Sequence, residues 1–80
     1  MTVLRLFAAA REAAGTASAD IDASTVEAVL AQAVALYGDR FAKVLAGSRV
    51  WVNGEPADPG RPVGEADEVA VLPPVSGGYA

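Results

Sequence analysis

The sequence contains no cysteine and no histidine. Without cysteine there is no disulfide, no thiolate nucleophile and no thiolate metal site. Without histidine the commonest general base and the commonest metal ligand are both missing. A chain of 80 residues lacking both is not expected to run a reaction alone. Basic residues are also few: six against ten acidic ones, a formal net charge of −4. A nucleic-acid binder would show a basic patch or stripe, so that class is disfavoured. An acidic domain suits a basic surface on another protein. No apolar run approaches the roughly 18 residues of a membrane span. The start "MTVLRLFAAAREAAG" is interrupted by Arg5 and Arg11-Glu12, and it lacks the basic beginning and cleavage pattern of a signal peptide. A soluble cytoplasmic protein with neither nucleic acid nor membrane as partner is expected.

What is present fits one small domain. Hydrophobic residues make up 52% of the chain, too many for a disordered acidic segment. "TVLRLF", Thr2 to Phe7, reads as a strand with Leu4 and Leu6 on the core face. Ala8 to Gly15 is a connection with room for a helical turn. Thr16 to Asp22 alternates weakly and suits a short edge strand paired back to the first. "STVE" at Ser24–Glu27 is a capping box, and Val26, Val29, Leu30, Ala33, Val34 and Tyr37 follow at helical spacing. A helix over about Thr25 to Tyr37, stopped by Gly38, is predicted. "DRFAKVLAG" adds a further turn with Phe41 and Leu45 inward. Arg49 to Val52 is a short strand, and Asn53-Gly54 is a strong hairpin signal. "EVAVL", Glu68 to Leu72, is the last strand, ended by Pro73-Pro74. Trp51 reads as core, and Asp67-Glu68 as a turn and strand start.

One main helix across a small mixed sheet buries the helix's single apolar face. The first and last strands are the most apolar, so they belong side by side and parallel at the centre. That is an α+β, β-grasp (ubiquitin-like) fold. The domain is expected over residues 1–72, with an extended tail over 73–80 carrying Gly77-Gly78.

A domain without histidine or cysteine still takes part in chemistry if its own C-terminal carboxylate is the reacting group. Such an end must project, thread a narrow site and offer a backbone without a side chain. The two prolines and Gly77-Gly78 meet these needs. The plain alternative is a flexible linker.

Three stretches carry a resemblance. "DEVAVLPPVSGG" from Asp67 to Gly78 is similar to the C-terminal signature of MoaD, the small-subunit family of molybdopterin synthase. "LFAAAREAAG" from Leu6 to Gly15 and "VNGEPA" from Val52 to Ala57 resemble its N-terminal pattern and central hairpin. ThiS and CysO carriers share the fold and the Gly-Gly end but are less similar in these stretches. The resemblance implies a sulfur carrier. An E1-like, MoeB-like adenylyltransferase would use ATP to activate the carboxylate of Gly78, and sulfur would replace an oxygen to give a thiocarboxylate. The large subunit, MoaE-like, would take the tail and build the dithiolene of molybdopterin, in an assembly of two copies of each. Gly78 is the implied reacting residue and Gly77 its slim neighbour. Pro73, Pro74, Val75 and Ser76 are the implied threading tail. Phe7 and Leu72 match positions of an apolar docking patch, with ordinary packing as the alternative. No cofactor and no metal is expected on the chain itself.

The chain departs from the family pattern because Tyr79-Ala80 follow Gly78. While they remain, the Gly78 carbonyl is an amide and cannot be adenylated, and Tyr79 would obstruct insertion. Removal by a processing protease is the expectation. A divergent paralogue that no longer carries sulfur, or artificially added residues, stay open. So do a carrier for cysteine or thiamine synthesis, conjugation to proteins, and a non-catalytic β-grasp module with an inert tail.

Overall fold

Thr2–Leu6 forms strand β1, in which Thr2, Leu4 and Leu6 are buried while Arg5 is exposed. This is the period of two expected of a sheet with one covered face. The computed structural model from which this follows describes residues 1–74. Val75, Ser76, Gly77 and Gly78, with Tyr79 and Ala80 after them, lie outside the described residues.

The alanine-rich segment after β1 is a full helix, α1 (Ala8–Ala14), rather than a connection with one turn. Alanine has the highest helix propensity, and two turns form. The entry is tight: Ala8 sits at φ 50, the left-handed region that a β-carbon disfavours. Gly15 closes the helix at φ 77, its amide donating to the Arg11 carbonyl at 2.9 Å. Strand β2 (Ser18–Ile21) then pairs antiparallel with β1 at the sheet edge.

Helix α2 (Val26–Tyr37) is the main helix, and Gly38 at φ 89 ends it. Its start corrects the expected capping box. The cap is Thr25, whose hydroxyl accepts from the Ala28 amide at 3.1 Å. Ser24 and Glu27 do not form the reciprocal pair because the turn-rich segment supplies other acceptors. The amides of Val26 and Glu27 donate to the carbonyls of Arg61 and Pro59, at 3.0 and 2.8 Å. The orphan donors of the first turn are thus satisfied by tertiary contacts. Helix α3 (Asp39–Ala46) follows directly, and buries Phe41 completely with its ring edge-on to Tyr37 at 5.3 Å.

Strand β3 (Arg49–Val52) turns through Asn53 and Gly54, at φ 52 and 85, into the two-residue β4 (Glu55–Pro56). Positive φ at both turn residues matches the twist of the flanking strands. Strand β5 (Glu68–Leu72) completes one sheet in the order β2-β1-β5-β3-β4. Strands β1 and β5 are parallel and central, with Leu4 beside Val69 and Leu6 beside Val71.

The core lies between the sheet and the helices. Leu4, Leu6, Ile21, Val52, Val69 and Val71 meet Ala10, Val26, Val29, Ala33 and Phe41. Each buried Val, Leu or Phe contributes about 1.5–3 kcal/mol relative to its exposed state. The architecture is the ubiquitin-like β-grasp, with α1 and α3 added to the single helix the sequence suggested. Among the described residues no helix is long and apolar enough to cross a membrane.

Candidate functional site

Strand side chains alternate between faces, so burying Leu4, Leu6, Val69 and Val71 against the helices turns their neighbours the other way. Val3 and Arg5 of β1, Arg49 and Trp51 of β3, and Glu68, Ala70 and Leu72 of β5 lie on this second face. The buried residues of all three helices join the cluster on the opposite side. Arg5 and Glu68 form an ion pair there at 3.3 Å, with both side chains about half exposed.

Register decides which of these residues stand together. Leu6 pairs with Val71, so one step further along the parallel strands Phe7 comes beside Leu72. The backbone of Phe7 stays extended, at φ −125 and ψ 152, so its ring continues the alternation. Phe7 is 40% exposed and Leu72 is half-buried. Arg49 pairs with Leu72 from the other side. Phe7, Leu72 and Arg49 therefore form one row at the C-terminal end of β5.

The chain leaves the sheet at this row. Pro73 and Pro74 have no amide hydrogen and cannot extend the ladder. Pro73 is half-buried and Pro74 exposed. With Gly47, Arg49, Trp51 and Leu72 they line an open groove of about 510 Å³. Trp51 corrects an expectation: the strand pattern reads it as core, but Val50 and Val52 take the core side and leave the indole on the open face. Arg49 and Trp51 carry no motif. Counting outward from the Asn53-Gly54 turn would have found them, because that turn fixes the register of β3.

Arg11 and Glu12 are exposed on α1, as expected of a solvated surface. Asp67 lies in the turn before β5, not in a catalytic carboxylate pair. Its carboxylate accepts from Asn53 Nδ2 at 2.8 Å and from the Gly64 amide at 2.9 Å. These hydrogen bonds, the Asn53 one foremost, hold its pKa below the ordinary value. Asp67 is thus tied into the loop structure.

The candidate site is an apolar row where the last strand ends. Phe7 and Leu72 come together; Pro73 and Pro74 continue from them. Val75, Ser76, Gly77 and Gly78 fall beyond the described residues, as stated above.

No curated protein matches the chain. Among solved structures, SAMP1 from Haloferax volcanii, a small archaeal modifier protein, is 32% identical. The match covers 96% of this chain and 98% of SAMP1, with a TM-score of 0.80. A putative molybdopterin converting factor subunit 1 from Pyrococcus furiosus is 21% identical, covering 92% of this chain and 97% of that one, at TM-score 0.81. CysO, in the BexX/CysO complex from Amycolatopsis orientalis, is 19% identical, covering 98% of this chain and all of that one, at TM-score 0.80. The last two share the fold. The ThiS family model matches residues 4–78, from the first strand through the Gly-Gly pair. With that match and this sheet, the chain belongs to the ThiS family and has its ubiquitin-like sulfur-carrier fold.

Proposed function

We propose that the chain is a sulfur carrier whose reacting group is the carboxylate of Gly78. One observation carries this reading: the family match runs through Gly77 and Gly78, on a tail that leaves the central strand beside Phe7 and Leu72. Each step balances. A protease adds water across the Gly78–Tyr79 bond, releasing Tyr79-Ala80 and leaving a carboxylate. An E1-like, MoeB-like partner lets that carboxylate attack the α-phosphorus of ATP, expelling pyrophosphate. A sulfide-equivalent nucleophile then attacks the acyl carbon and expels AMP, which leaves the thiocarboxylate. The carboxylate is a poor electrophile, and the adenylate supplies the leaving group it lacks. Catalytic acids, bases and ATP all belong to partners, in keeping with a chain that has neither histidine nor cysteine. The ATP-consuming activation belongs in the cytoplasm.

The acceptor we favour is the pterin precursor of molybdopterin, held by a MoaE-like large subunit. The "LFAAAREAAG", "VNGEPA" and "LPPVSGG" stretches support that choice. Phe7 and Leu72 would seat the partner while Pro73, Pro74, Val75 and Ser76 lead Gly77 and Gly78 into its channel. A second reading has its own support. SAMP1, at 32% identity, is a modifier protein, and in that reading the activated Gly78 carbonyl is passed instead to protein amines.

The test is the intact mass of the untagged protein from its native host. A species lacking Tyr79-Ala80, part of it heavier by the difference between sulfur and oxygen, supports the carrier. Isopeptide-linked Gly78 on other proteins supports the modifier. A single species keeping Tyr79 and Ala80 in cells making molybdenum cofactor overturns both and leaves an inert interaction module. Deleting Gly78 should abolish molybdopterin synthesis while the fold survives.

A further inference from the structure

The sheet is open, and its outer strands are β2 and β4. A row of unpaired amides and carbonyls on such a strand is a template for another strand. At β4 the row is minimal. The Ala57 amide donates to the Val50 carbonyl at 3.1 Å and Glu55 pairs with Val52, so Pro56 is the residue whose backbone turns outward. It has no amide hydrogen to offer. At β2 one bond fixes the phase of the ladder: the Leu6 amide donates to the Ala17 carbonyl at 2.8 Å. Hydrogen-bonded pairs alternate along an antiparallel ladder. Ala17, Ala19 and Ile21 therefore turn their backbone groups toward β1, while Ser18, Asp20 and Asp22 turn theirs away. Two side chains occupy this outward row. The Thr16 hydroxyl donates to the Ser18 carbonyl at 3.0 Å and accepts from the Ser18 amide at a long 3.5 Å. Gln32 Nε2, from α2, donates to the Asp22 carbonyl at 2.6 Å. Asp20, between them, has no such partner among the described residues.

We propose that Thr16 and Gln32 close the outer edge of β2 against strand addition by a second copy of this chain, and that two copies pair along this edge once both side chains are removed. The inference stands apart from the carrier reading and does not need it. The occupant follows from the register. Two antiparallel β2 strands related by a two-fold axis set Ser18 of one copy against Asp20 of the other, and each such pair exchanges two hydrogen bonds. Those bonds need the Ser18 amide and carbonyl, which Thr16 engages. Extending the ladder to Asp22 needs the carbonyl that Gln32 engages. With Asp20 alone left open, an incoming strand gains too few rungs to stay. Charge works in the same direction. Asp20 and Asp22 are exposed, and pairing would gather them from two chains of net charge −4 each. The alternative register, with Asp20 facing Asp20, opposes like charges directly.

The test uses the full chain and reads mass by sedimentation equilibrium and amide exchange by NMR as protein concentration rises. The wild-type chain is expected to stay single, with a rapidly exchanging Asp20 amide throughout. Thr16→Val with Gln32→Leu removes both polar groups and nearly keeps their shape. This double variant should associate roughly tenfold or more tightly than wild type, about the change that one regained hydrogen bond produces. Its Ser18 and Asp20 amides should become protected as the dimer forms, and added salt should tighten it. Thr16→Ser keeps the hydroxyl and should behave as wild type. Gln32 is exposed, so Gln32→Ala alone leaves the core intact. It releases the Asp22 carbonyl, should show a smaller shift in the same direction, and decides the matter where the double variant does not fold. A folded variant of either kind that stays single overturns the proposal. So does association that leaves the Ser18 and Asp20 amides unprotected, because another surface would then be responsible. Protection of Asp20 in the dilute wild-type chain also overturns it, since the edge would already be covered. Wild-type pairing through β2 at higher concentration does the same, since the edge would be open. Pairing of the double variant with an added extended peptide of unrelated sequence, but not with itself, overturns the second copy as occupant.

Discussion

Asn53 is clasped to the start of β5 from both ends of its amide. Its Nδ2 donates to Asp67 Oδ1 at 2.8 Å, and the Glu68 amide donates back to its Oδ1 at 2.9 Å. The same residue holds the positive φ of the β3–β4 turn. Asn53→Ala removes both hydrogen bonds and places a less tolerant residue in the left-handed region, so it should lower stability by roughly 1–2 kcal/mol. Asn53→Gly should recover the backbone share only. Urea denaturation of the two variants measures the difference.

Asp67 makes the clasp dependent on pH. The Asn53 hydrogen bond, the Gly64 amide and the charge of Arg61 lower its pKa from 3.8, while desolvation opposes them. A carboxyl depressed in the folded state contributes stability that is complete above the unfolded value. That contribution fades as pH falls through the folded one. The urea midpoint should therefore fall as the solution is acidified below 3.8. Asp67→Asn should be less stable at neutral pH and show a flatter profile. An unchanged acid profile in the variant would assign the acid sensitivity to other carboxylates.

Phe41 is fully buried and lies edge-on to Tyr37. Phe41→Ala should destabilise by about 3–5 kcal/mol, enough to unfold much of a small domain at 37 °C. Circular dichroism on heating shows it directly. Phe41→Leu should keep the fold with a smaller loss.

Ala8 enters α1 at φ 50. Relief of that strain favours glycine by roughly 1 kcal/mol, against a similar helix-propensity penalty that is weaker at a first residue. Ala8→Gly should leave the melting temperature equal or raised, whereas Ala8→Val should lower it. Because Ala8 follows Phe7, the valine variant should also weaken partner docking.

The two central strands, the hairpin and the main helix were legible because each carries a local signal: alternation at Leu4 and Leu6, Asn53-Gly54, and helical spacing from Val26 to Tyr37. The parallel pairing of β1 and β5 followed from their being the most apolar segments. The cap at Thr25 was not legible, because the carbonyls of Pro59 and Arg61 that replace the box come from distant sequence. Helix α1 was underestimated because it lacks an N-terminal side-chain cap. In the site, Phe7 and Leu72 came from a family pattern. The groove beside them, set by the pairing of Arg49 with Leu72, needed the register of a strand from elsewhere in the chain.

The placement of β5 has a mechanical side. Its neighbours are β1, parallel, and β3, antiparallel, so it is hydrogen-bonded along both edges. A pull applied at Pro74 along the strand axis loads the rungs of both ladders together in shear. An edge strand could be unzipped one rung at a time; this strand cannot be peeled away. In the carrier reading proposed above, the end that is passed between proteins is thus anchored to a strand bonded along both edges, and a partner can tug on it without unravelling the domain.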